Sequence, residues 1–151
     1  MAVIQADSFE IEVGKFFSKL PTLPSSFLEK AVFFAPFIAI AAGIGTILTS
    51  GILSLFQLSS LPIFLNNKVF GVNYYLYIAA SIVIGVSFLL AFSPLSVRSL
   101  KGWRMVLYTT LLSFIQSMLF LSLGNSVDIL GNIVVMLIGL YVLFQIRPYY
   151  R

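Results

Sequence analysis

Histidine and cysteine are both absent from this chain of 151 residues, and charged residues make up only 9% of it. Without an imidazole or a thiolate there is no His- or Cys-based nucleophile or base and no disulfide. The usual ligand sets for zinc, haem or an iron–sulfur cluster are missing too. The expectation is therefore a protein with no metal and no cofactor. The shortage of charge excludes more. A soluble domain carries about a quarter charged residues, so a chain that is 60% hydrophobic, with mean hydropathy +1.05, cannot clothe a water-facing surface. Nucleic acid is excluded as a partner despite a net charge of +4, because the basic residues are scattered rather than gathered on one face.

What is present is apolar sequence in four long runs. Continuous runs cannot alternate as barrel strands do, and in lipid the backbone must satisfy its own hydrogen bonds, so the runs read as helices. The expected fold is all-α: a polytopic integral membrane protein, a bundle of four transmembrane helices over about 27–58, 74–93, 105–123 and 129–146. Pro94 and Arg147-Pro148 read as stops for the second and fourth runs, and Pro36 as a kink in the first. Residues 1–26 form a separate N-terminal segment. There Phe9, Val13, Phe16, Phe17 and Leu20 fall on one helical stripe, Asp7 and Glu10 have capping-box spacing, and Pro21 ends the run. This predicts an amphipathic helix in the headgroup layer; a terminal segment packed on a partner, or partly disordered, is the alternative. No basic n-region with a following apolar core marks a cleavable signal peptide. Ser26 with Glu29 is a second capping-box spacing, opening the first long run.

Orientation follows from Lys and Arg. If both termini share a side, that side collects Lys15, Lys19, Lys30, Arg98, Lys101, Arg104, Arg147 and Arg151, against Lys68 alone on the other. The bias places both termini in the cytoplasm, with the plasma (inner) membrane as the default location. Between the first two runs, Asn66-Asn67-Lys68 reads as a turn within a greasy loop, and Asp128 reads as a cap for the last helix.

No Asp, Glu, Lys or Arg falls deep within the four runs. Ionisable groups at that depth usually mark proton relays and ion sites, and an activated Ser needs a base that is not there. No catalytic residue is assigned, and the chain is not expected to be an enzyme. The interior polar residues form a stripe instead: Thr46 and Ser50 on the first helix face Thr109, Ser113, Gln116 and Ser117 on the third. Gln116 lies about 3 Å from the midpoint of its run at 1.5 Å per residue. The stripe is either a path or cavity for a polar solute, or hydrogen-bonding glue between helices, the commoner arrangement. Ala39/Gly43 and Ala41/Gly45 have the spacing of close helix contacts. Arg98, Lys101, Trp103 and Arg104 are candidate contacts to anionic lipid headgroups, although a cytoplasmic loop looks the same for reasons of topology alone.

The sequence thus favours a non-catalytic integral membrane protein, a small subunit, assembly factor or scaffold. Its partners would be the lipid bilayer, other membrane proteins, or copies of itself. The alternative is a small oligomeric carrier or channel for a small solute or lipid, using the Ser/Thr/Gln path.

Overall fold

The computed structural model describes residues 2–58, 68–121 and 129–151, with side chains omitted at 2–9, 53–58, 68–74, 118–121, 129–130 and 132. Among the described residues the only regular elements are helices: α1 (Ala2–Phe17), α2 (Ser25–Leu58), α3 (Lys68–Ser96), α4 (Leu100–Leu121) and α5 (Ile129–Ile146), closed by a 3-10 turn (Arg147–Tyr149). Two of them are long and apolar enough to cross a membrane, over Ser25–Ile52 and Tyr75–Ser96. Many residues of both stay exposed and few are buried; Phe33, Phe34, Phe37, Ile82, Val83 and Leu90 are among the exposed ones. The turn read at Asn66-Asn67 and the Asp128 cap lie outside the described residues.

The helix ends depart from expectation where local bonds outweigh single residues. Helix α1 begins at Ala2, so Asp7 lies within it and does not cap it. It ends at Phe17, ahead of Pro21, with Ser18 Oγ donating to the Lys15 carbonyl. Helix α2 begins one residue before Ser26. The amides of Phe27 and Leu28 both bond the Pro24 carbonyl, which places Ser26 in the first turn, past the cap. Pro94 does not end α3 but sits in its last turn. The stop comes from Arg98, whose φ of 54° lies in the left-handed region. Its N–H bonds the Leu95 carbonyl at 2.9 Å and the Ser99 N–H bonds the Pro94 carbonyl at 2.9 Å, the paired bonds of a Schellman motif. An arginine stands where glycine is usual.

Helices α2 and α3 pack most extensively, and α4 lies against α3. Small residues let the backbones approach. A Cβ built on Gly43 would lie 2.7 Å from the Gly85 carbonyl oxygen, and one on Gly85 only 2.5 Å from Ile47 Cγ1. Ala39, one turn before Gly43, is buried, so this predicted pair does lie at a contact. The Ala41/Gly45 pair does not: Ala41 is exposed and nothing lies within 4 Å of a Cβ on Gly45.

Among the described residues the main core cluster lies at one end, here termed the charged end. Val32, Leu95, Trp103, Leu107, Leu143, Phe144 and Ile146 are buried there, and Phe17 of α1 joins them. The Phe17 and Phe144 rings stack at 5.2 Å and 14°. Helix α1 therefore docks by the face carrying Glu10, Gly14 and Phe17, whereas Phe16 and Leu20 of the predicted stripe remain exposed. The C-terminus is tied to the α3–α4 link: the Leu100 N–H bonds the Arg151 carbonyl at 2.9 Å, and the Arg151 N–H bonds the Arg98 carbonyl at 3.0 Å.

Candidate functional site

The interior stripe is a patch shared by three helices. Gln116 on α4 reaches α3, its Nε2 donating to the Tyr77 carbonyl at 3.0 Å and to Ser81 Oγ. Ser81 Oγ in turn donates to the Tyr77 carbonyl at 2.9 Å. Four other hydroxyls bond within their own helices. Thr46 donates to the Ala42 carbonyl at 2.8 Å, Ser113 to Thr109 at 2.8 Å, Ser117 to Ser113 at 3.0 Å, and Ser50 to the Ile47 carbonyl at 2.9 Å.

Thr46, Ser113, Gln116 and Ser117 meet, with Thr49, Tyr77 and Ser81, around a cavity of about 430 Å³. Ser50 and Thr109 are buried but do not line it. The sequence stripe omitted the α3 contribution, although Tyr77 and Ser81 stand four residues apart in an apolar run and so share a helix face. A hydroxyl that donates to a backbone carbonyl keeps only its lone pairs. Gln116 likewise has both amide hydrogens engaged. The cavity wall is consequently richer in acceptors than in donors, and it suits a solute bearing N–H or O–H groups.

The charged end holds a second constellation, built from residues far apart in sequence. The Glu10 carboxylate has no exposed side-chain surface. Arg104 grips it as a fork, with Nε 2.7 Å from Oε1 and Nη2 donating to Oε2 at 3.1 Å. The Tyr108 hydroxyl lies 3.5 Å from Oε1, and Arg147 Nη2 is 3.9 Å from Oε2. A buried carboxylate costs several kcal/mol in desolvation unless it is paired and hydrogen-bonded, and the fork meets that condition.

Beside it, the Arg147 guanidinium lies 5.5 Å from the centroid of the Trp103 ring. Trp103 has 0% exposure and donates its indole N–H to the Leu143 carbonyl at 2.7 Å. The structure places the four candidate headgroup contacts differently from one another. Trp103 is withdrawn from the surface because its N–H finds its partner on α5, and Arg104 is engaged with Glu10. Arg98 and Lys101 remain exposed.

Among the described residues no group of Asp, Glu, His or Cys could hold a metal ion. Comparison with family models, with curated proteins and with solved structures finds no match for this chain.

Proposed function

We propose that the chain is a non-catalytic integral membrane protein of four transmembrane helices. In this reading both termini lie on the cytoplasmic side of a plasma (inner) membrane. It acts as a small subunit, assembly factor or scaffold that holds other membrane proteins or lipids. The observation that carries this reading is an almost wholly apolar cleft of about 400 Å³ between α2 and α5. Ala31, Ala35, Ala39 and Ala42 form one wall and Ile138, Gly139 and Val142 the other. In lipid, helix association rests on close packing against small residues, since the hydrophobic effect offers no drive between helices. An alanine-walled cleft opening among exposed Phe and Ile side chains supports a seat for the ridge of a partner's transmembrane helix.

The test uses the tagged full-length protein, extracted from its own membranes in mild detergent and weighed by native mass spectrometry. Distinct partners at fixed stoichiometry are expected, and Ala35→Phe, which fills the cleft, releases them. Gly45→Leu, placed where a side chain meets open space, leaves them bound. Recovery of the chain free of partners overturns the reading.

The 430 Å³ cavity favours a second reading, a small oligomeric carrier or channel for a hydrogen-bond-donating solute. Recovery as a closed homo-oligomer, with flux in liposomes abolished by Gln116→Leu while assembly persists, would establish it in place of the first.

A further inference from the structure

A cavity of about 730 Å³ lies at the charged end, between the docked face of α1 and the C-terminal turn. Its volume falls within the roughly 300–1,000 Å³ of small-molecule sites. Apolar rings line part of it, Phe17 and Phe144 among them, and its polar lining includes Lys15, Arg147 and Tyr150.

Two polar groups in this lining lack partners among the described residues. The Tyr150 hydroxyl is buried and unbonded, in a residue only 5% exposed. Arg147 Nε is likewise buried without a hydrogen bond, while the side chain as a whole is 43% exposed. Buried polar groups in native structures are nearly always satisfied, so two unsatisfied donors beside one cavity imply a missing acceptor. The charge balance agrees. Glu10 also borders the cavity, but its carboxylate is engaged by the Arg104 fork, so Lys15 and Arg147 leave an excess of positive charge. Burial pushes the Tyr150 phenol above its usual range, with Arg98 pulling it partly back, so the hydroxyl stays protonated and able to donate.

We propose that this cavity binds the phosphate of a phosphate ester, held by Lys15 and Arg147 and hydrogen-bonded by the Tyr150 hydroxyl. A planar guanidinium and a flexible ammonium suit a phosphate with several acceptor oxygens. The apolar rings accommodate the organic part of the ester. The site is separate from the α2–α5 cleft and is read by retained lipid rather than by bound partner subunits, so either can fail alone.

The full-length protein is reconstituted in nanodiscs of phosphatidylcholine doped with phosphatidylglycerol, and lipid carried through delipidation is counted by native mass spectrometry. Phosphatidylglycerol is expected to be retained over phosphatidylcholine. Lys15→Gln is expected to weaken retention about fivefold, as does loss of one basic residue near an anionic surface. Arg147→Gln acts in the same direction, and Lys15→Gln keeps the test sound if loss of Arg147 disturbs the fold. Lys101→Gln, exposed and outside the cavity lining, leaves retention unchanged. A titration with glycerol phosphate separates the sources: displacement of the lipid identifies a soluble ester, and indifference identifies a lipid headgroup. Equal retention of the two lipids with no binding of glycerol phosphate overturns the proposal. So does an equal loss in Lys101→Gln and Lys15→Gln.

Discussion

At the charged end, polar groups are drawn together from across the chain: Glu10 and Arg104, 94 residues apart, share one buried fork, with Arg147 beside them. In the interior patch, by contrast, the hydroxyls of Thr46, Ser113 and Ser117 each bond a carbonyl one turn back in the same helix. Gln116 crosses to a neighbour there, reaching Tyr77 and Ser81 of α3. The difference teaches where polarity holds the tertiary structure. Bonds within one helix form in that helix whether or not it is packed, so they add little to assembly. Bonds between elements exist only in the folded protein and are lost together.

The largest effect that would sharpen this comparison is expected at the fork. Arg104→Ala leaves a buried carboxylate with the more distant Arg147 and Tyr108, and should cost about 3–5 kcal/mol. Thermal unfolding in detergent reads it, and Glu10→Met with Arg104→Met together should recover most of the loss. A result within 1 kcal/mol of the parent at the level of surface pairs would erase the contrast between the two regions. Next comes the α2–α3 crossing. Gly43→Ala forces a methyl against the Gly85 carbonyl and should cost about 1–3 kcal/mol, whereas Gly45→Ala, with open space around it, should be neutral by the same measurement.

Gln116→Leu removes the two bonds that the Gln116 amide makes to α3, and an interhelical bond of this kind is worth about 0.6–2 kcal/mol. Thr46→Val should cost less than Gln116→Leu, because its bond is local; the reverse order, read from denaturation midpoints, would contradict the account. The smallest effect is expected at Arg98→Gly. Relief of a left-handed arginine should stabilise the protein by about 1 kcal/mol or less, seen as a small rise in midpoint.

Much of the helical layout was legible because hydrophobic runs report burial or lipid directly. The α5 limits match the apolar run at 129–146, since Arg147-Pro148 adds charge and removes a donor at one point. Pro94 misled because a proline in the last turn costs a single bond, which the closing motif at Arg98 absorbs. The stripe on α1 misled for a different reason. A pattern of apolar residues identifies a helix with two faces, but Glu10 at the centre of the docked face makes sense only once Arg104 stands opposite it. Four of the six stripe residues do gather around one cavity, because helical spacing alone aligns them. Ser81 and Tyr77 were missed because their role depends on which face α3 turns toward α4.

Composition alone determined that this protein has no imidazole or thiol chemistry, that its described structure is helical, and that much of its surface is apolar. Those properties follow from residue types and from periodicity along one chain segment. Tertiary structure alone decided that a glutamate would be buried, that Trp103 would face inward, and that an arginine and a tyrosine hydroxyl would flank a cavity with bonds still to make. Each of these is a relation between segments, and its free energy depends on distances that no single segment contains.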